Sequence, residues 1–202
     1  MISIVLTHFN KGLLLDRTIA SLQPNDTIVH EIIVVDDAST DPTWPEHAQA
    51  LLAQQPKLKI IFNSDNKGPA NRLNQGAQQA TGDYLFFMDA DDVLAPNRLK
   101  VFLDEMQRQS ADLCYGNKVK IHNLADVHQQ VIYSWQSSVE VLYYLLKHNI
   151  MEMCVICRRE VFIRSGGCNP RLFIQDESLA LSLAQHSQKI IHTEAALSLI
   201  HI

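Results

Sequence analysis

The chain has 202 residues, 47% hydrophobic and 19% charged, which is enough apolar material for the buried core of one ordinary domain. Seventeen Lys and Arg stand against 22 Asp and Glu, a net charge of −5. That balance excludes a basic field for gripping a nucleic-acid backbone or an anionic membrane face, so any anionic ligand must be held locally.

Short β-branched runs alternate with helical patterns through the first half. Ile2 to Leu6, Glu31 to Val35, Leu58 to Phe62 and Tyr84 to Met88 read as strands. The start, Met1 to His8, has no basic segment and no small-residue cleavage site, so it reads as a strand rather than a signal peptide. Between the strands, Leu13-Leu14-Leu15 with Ile19 and Leu22, Ala48 with Leu51 and Leu52, and Leu73 with Ala77 and Ala80 each supply the apolar stripe of a helix. This order predicts an α/β fold with a mostly parallel sheet, helices on both faces and a ligand crevice beyond the carboxyl ends of the strands.

After Pro96 the pattern becomes α+β. A helix is expected from about Pro96 to Gln109, an extended stretch from Asp112 to Ile121, a strand around Gln130 to Trp135 and a helix from Val139 to His148. Then come a strand from Met153 to Cys157, a short helix closed by Gly166-Gly167, a helix from Ser178 to His186 and an extended end from Ile190. No repeat or linker divides the chain, so one domain is expected, residues 1–110 forming one half and 111–202 the other. The longest apolar runs fall far short of the roughly 20 residues that span a bilayer. Four cysteines, Cys114, Cys154, Cys157 and Cys168, do not make a disulfide framework at this length and read as reduced thiols. A cytoplasmic chain without a transmembrane segment is expected, free to associate peripherally with the inner face of a membrane.

Polar residues gather just after the strands. Asp89-Ala90-Asp91-Asp92 follows an unbroken apolar run, and carboxylates this close repel unless a cation sits among them. A hard ion with oxygen ligands, Mg²⁺ or Mn²⁺, fits such a cluster and keeps positions open for phosphate oxygens. The plainer alternative is that these acids start the next helix, with Asp as its cap before Pro96. A second cluster, Asp36-Asp37-Ala38-Ser39-Thr40-Asp41, follows the second strand. Asp37 is placed to accept from a base or ribose hydroxyl, with Asp36 bracing the loop.

Taken with Thr7, Phe9 and Asn10 after the first strand, these motifs resemble the inverting glycosyltransferases of family 2, which have the GT-A fold. Val35-Asp36-Asp37-x-Ser39-x-Asp41, Asn66-x-Gly68, Asn74-x-Gly76, Gly82-Asp83-Tyr84 and the Asp-x-Asp run occur in the family's order, and the resemblance covers nearly the whole chain. It implies a nucleotide-diphosphate sugar donor held by Thr7, Phe9, Asp37, Asn66, Lys67, Asp89 and Asp91. It implies Mn²⁺ or Mg²⁺ as cofactor, with Asp91, Asp92 and His201 as metal ligands. The acceptor would be a glycan or lipid-linked sugar in surface polysaccharide synthesis. Gly166-Gly167 before Gln175-Asp176-Glu177 places the catalytic base at Asp176, at a helix start that favours an ionised carboxylate.

Two departures from the family are visible. Gln175 replaces a common Glu, which leaves Glu177 as a rival base, and Leu73 stands where the helix usually carries Arg. Arg72 or Lys67 is the substitute cation expected near the phosphates. Cys154-x-x-Cys157 lies in a strand, where positions i and i+3 face opposite ways, so it reads as packing and not as a chelate. His8 and Trp44 also read as packing residues, while Trp135 is a candidate floor for an acceptor sugar. Two other functions remain open at this stage: a silent nucleotide- or glycan-binding domain, and a sugar-phosphate nucleotidyltransferase. The latter is expected to carry a Gly-rich basic loop after the first strand, and Thr7-His8-Phe9-Asn10 is not one.

Overall fold

The structure, a computed structural model, describes residues 1–120, 132–135, 140, 143, 147, 154–172 and 175–199. Its strands are β1 (Ile2–His8), β2 (Val29–Asp36), β3 (Leu58–Ile61), β4 (Tyr84–Asp89), β5 (Leu113–Lys120), β6 (Ile132–Trp135), β7 (Val155–Arg158) and β8 (Ile190–Leu199). The described helices of seven residues or more are α1 (Leu13–Leu22), α2 (Trp44–Gln54), α3 (Pro69–Gln79), α4 (Arg98–Gln109), α5 (Arg159–Ser165) and α6 (Gln175–His186). The helix expected between Val139 and His148 lies largely outside the described residues.

All eight strands join one sheet in the order β3-β2-β1-β4-β7-β5-β8-β6. The four strands β3, β2, β1 and β4 are parallel to their neighbours, as the alternation of strand and helix requires. Beyond β4 the sheet is mixed. β7 runs antiparallel between β4 and β5, β8 is parallel to β5, and β6 closes the far edge antiparallel to β8.

The central strands are buried on both faces, which is why they read as continuous apolar runs rather than alternating ones. One face packs Leu15, Ile19 and Leu22 of α1, Trp44 and Leu51 of α2, and Leu99, Phe102 and Met106 of α4. The other packs Leu73 and Ala77 of α3, Val161 and Phe162 of α5, and Leu179 and Leu183 of α6. Gly76 lets α3 lie close on the sheet, because a Cβ there would stand 2.5 Å from Val5 Cγ1 and 2.9 Å from Val35 Cγ2. Cys154 packs on the first face and Cys157 on the second, and all four cysteines are buried thiols outside any disulfide. The CxxC thus holds nothing between its thiols, and burial pushes the Cys157 thiol well up from its usual range.

Candidate active site

The parallel register brings the polar loops side by side. Thr7 pairs with Val35 on one side and Asp89 on the other, and His8 pairs with Asp36. A cleft of about 310 Å³ opens beyond these strand ends, lined by Thr7, His8, Phe9, Lys11, Asp37, Pro69 and Asp89. A second cleft, about 590 Å³, is lined by Lys67, Gly68, Pro69, Ala70, Pro170, Arg171 and Leu172. Pro69, at the start of α3, belongs to both.

The loops around the first cleft are pinned to one another. Asn10 takes a positive φ of 53° and its Oδ1 accepts from the Thr40 and Asp41 amides at 2.8 and 3.1 Å. Its own amide donates to Ser39 Oγ at 3.0 Å. His8 and Ser39 both contact Asp36 Oδ1, at 3.0 and 2.5 Å, and these bonds outweigh burial, which alone would raise it, to hold the Asp36 carboxyl below its usual range. His8 stacks on Trp44 with ring centroids 4.0 Å apart, so both residues pack as the sequence suggested.

Asp37 also braces the scaffold. Its carboxylate accepts from the Lys67 amide at 2.8 Å, the Gly68 amide at 2.9 Å and Arg72 Nε at 2.6 Å. Gly68 has a φ of 82°, a conformation that L side chains rarely adopt, which is the physical need behind glycine in Asn66-x-Gly68. Asn66 Nδ2 donates to the Asp37 carbonyl at 3.1 Å. Arg72 is only 4% exposed, and its guanidinium also bonds the Asp65 carbonyl and Gln75, so it is not the substitute phosphate cation that the sequence allowed. Leu73 faces the sheet at 2% exposure, a place where a leucine contributes about 2 kcal/mol by burial. Lys67 pairs with Asp65 at 2.9 Å on the surface.

Phe9 is 43% exposed at the cleft. At the end of β4, Asp89 and Asp91 are partly exposed, whereas Asp92 is buried. Asp91 Oδ2 lies 2.6 Å from Lys11 Nζ, a partner 80 residues away that no motif announced. Among the described residues no three His, Cys, Asp or Glu side chains converge as a ready-made metal site. His201 lies outside the described residues, and of Trp135 only the backbone, paired with Ile190, is described.

Asp176 sits in the first turn of α6. The loop before it hangs from α3: Asn74 Nδ2 donates to the Cys168 carbonyl at 2.9 Å and Asn74 Oδ1 accepts from the Cys168 amide at 2.8 Å, spanning 94 residues. The Asn169 amide donates to Ser178 Oγ at 3.0 Å. Burial pushes the Cys168 thiol up to about 12, and the nearby Asp176 carboxylate adds to the shift. Asn74 was read only as a motif letter; what it clamps was not visible in the sequence.

The mixed sheet, parallel from β3 to β4 and with helices on both faces, is the GT-A glycosyltransferase fold. The Staphylococcus aureus TarS structure (residues 1–349) superposes with a TM-score of 0.77 at 19% identity, covering 95% of this chain and 57% of that one. TarS has also been solved in complex with UDP-GlcNAc. The mannosyltransferase PcManGT from Pyrobaculum calidifontis, in complex with GDP-Man and Mn²⁺, gives 0.72 at 18% identity over 98% of this chain and 56% of its own. The family model "Glycosyl transferase family 2" matches residues 3–166, and the chain belongs to that family. A Campylobacter jejuni relative, GalNAc(5)-diNAcBac-PP-undecaprenol beta-1,3-glucosyltransferase, is 33% identical over 57% of this chain and 37% of its own length. The chain spans less than half the length of three curated relatives that it matches, 46%, 38% and 37%. No described helix is long and apolar enough to cross a membrane.

Proposed function

We propose that this chain is a metal-dependent inverting glycosyltransferase that moves a sugar from a nucleotide-diphosphate donor, a UDP-sugar by preference, to a glycan or lipid-linked acceptor in surface polysaccharide assembly. The observation that carries this reading is the gathering of Thr7, Phe9, Asp37 and Asp89, from three parallel strand ends, around one cleft in a family 2 chain. Thr7 and Phe9 bear on base and ribose. Asp37 shapes that wall through its bonds to the 67–72 segment and retains acceptor capacity at Oδ2, which takes one donor.

Mn²⁺ or Mg²⁺ is the expected cofactor. The donor set suits it, since Asp89 and Asp91 offer hard carboxylate oxygens, and the ammonium of Lys11 already stands in for a cation at Asp91. One or two carboxylates plus substrate phosphates are the usual holders of Mg²⁺, so no preformed cage is required. Asp91 and Asp92 would hold it, with Asp89 lining the same region; His201 is proposed from family resemblance alone. Bound there, the ion would neutralise charge on the departing diphosphate. Asp176 takes the proton of the acceptor hydroxyl as that oxygen attacks the anomeric carbon, and a single displacement inverts the configuration. Work at the inner face of a membrane follows from a lipid-linked acceptor, the kind named for the Campylobacter relative.

The test is calorimetric and thermal titration of UDP-, GDP-, dTDP- and CMP-sugars with and without Mn²⁺, on the parent and on Asp91→Ala. One donor class should raise the melting temperature by several degrees in Mn²⁺, because a ligand at about 100 times its Kd adds about 2.7 kcal/mol. Asp91→Ala should lose the metal dependence. Equal binding of every nucleotide sugar in EDTA would overturn the metal role, and pyrophosphate release from sugar phosphate and nucleotide would reassign the chain as a nucleotidyltransferase.

A further inference from the structure

Lys11 is the charged side chain of the cleft that the proposed chemistry leaves without a task. Its backbone is fixed between Asn10 and Gly12, whose φ values are 53° and 50°. Asn10 is bonded across to the loop after β2, and the Lys11 carbonyl accepts from the Leu14 amide at 3.1 Å where α1 begins. From that fixed backbone a flexible four-carbon stem carries the ammonium. Lys11 is 36% exposed at the cleft, while the Asp91 side chain that it meets at 2.6 Å is 13% exposed.

This pair differs from a surface ion pair in its setting. Residues 89–92 hold three carboxylates, and one internal ammonium offsets part of their mutual repulsion when nothing else is bound. A divalent ion on Asp91 would stand within a few ångströms of that ammonium, and two cations cannot share one carboxylate without strong repulsion. An arriving diphosphate removes the conflict, because it offers the flexible ammonium a new anionic partner within reach of the same loop.

We propose that Lys11 is an internal placeholder cation: it holds Asp91 in the ligand-free chain and releases that carboxylate to the divalent ion only as a diphosphate takes the ammonium. The inference rests on reading the cleft as a nucleoside-diphosphate site. Its consequence is that metal and nucleotide each bind weakly alone and strengthen one another by the same factor.

The experiment measures Mn²⁺ binding, by the free-ion electron spin resonance signal, to the parent, Lys11→Met, Lys11→Gln and Lys11→Arg, with and without UDP or GDP. Melting curves check that the variants are folded, and Lys11→Gln serves if Lys11→Met is not. Without nucleotide, Lys11→Met should bind Mn²⁺ at least fivefold more tightly than the parent, with Lys11→Arg resembling the parent. The nucleotide should tighten Mn²⁺ binding in both, since its phosphates also hold the ion, but at least fivefold more in the parent than in Lys11→Met. A gain below fivefold without nucleotide, or equal coupling in parent and variant, overturns the placeholder role. If no nucleoside diphosphate binds the parent, the nucleotide-sugar reading fails, while the Mn²⁺-only comparison still decides whether Lys11 guards Asp91.

Discussion

From β3 to β4 every ladder is parallel, and each strand runs into a loop that another loop holds: Asn10 to Thr40 and Asp41, Asp36 to His8 and Ser39, Asp37 to Lys67 and Gly68. From β7 to β6 the ladders are mixed, and the loop before Asp176, bonded to α6 through Ser178, is tied also to α3 through Asn74. Arg159, at the start of α5, likewise donates to the Ala80 carbonyl at 2.8 Å. The parallel half therefore carries its own bracing, while the loop before the proposed base leans on it through Asn74. One helix serves both, with Gly76 against the sheet and Asn74 against the far loop.

Asp176 should break this comparison most sharply. Asp176→Asn keeps shape and hydrogen bonding but removes the proton acceptor, so sugar transfer should slow by at least about a hundredfold with donor affinity unchanged. Parallel turnover and donor-binding measurements check it, with Glu177→Gln as the control; a dead Glu177→Gln and an active Asp176→Asn would shift the base by one residue.

The donor side has its own acid-sensitive joint. Glu31 is buried, and although burial raises its carboxyl, bonds from Lys59, Thr81 and Ser3 outweigh that and hold it at about 2 against 4.5 unfolded. The unfolded chain takes up the proton first, so this stabilisation is complete above pH 4.5 and is lost as pH falls toward 2. It amounts to about 3 kcal/mol. Denaturant titrations across that window should show the loss in the parent and a flatter profile in Glu31→Gln.

Asn74→Ala should separate the two regions more gently. Losing two bonds at the 168 loop costs about 2 kcal/mol and should lower turnover by roughly tenfold while leaving nucleotide affinity intact. A fall in both together would mean that α3 itself had moved. Smallest is a pair of glycine substitutions. Gly76→Ala forces a Cβ onto Val5 and Val35, but the helix regains about 1 kcal/mol of propensity, for a net cost of about 1 kcal/mol. Gly116→Ala, 2.5 Å from Cys154 Sγ and 2.7 Å from Phe102 Cζ, has no such offset and should cost about 2 kcal/mol. Urea midpoints of the two variants rank them.

The same division governs how far the sequence could be read. β1 to β4 lie where the β-branched and aromatic runs put them, within two residues at each end, and for β1, β2 and β4 this is because burial on both faces writes itself into composition. In the second half the strands were also foreseeable as segments, but not that β7 inserts antiparallel between β4 and β5, since pairing partners leave no local mark. The motif letters were legible; their bonds were not. The sequence offers Arg72 or Lys67 as a cation for the phosphates but leaves no trace of Arg72's bonds to Asp37 and Asp65, and Lys11 carries no signal because its partner is 80 residues away.

The outer strand β3 has a further consequence, for how molecules meet in solution. A sheet edge is a template for another chain's backbone, yet this one is four residues long, follows Pro56-Lys57 and bears Lys59 at its second position. Lys59 is 62% exposed while bonded to Glu31 at 2.7 Å, so the interaction that stabilises β2 from within also keeps a charge standing on the border. A strand approaching edge-on would have to strip water from that ammonium for only a few hydrogen bonds in return. One lysine thus serves cohesion inside the molecule and repulsion outside it, and the sheet stops growing at β3.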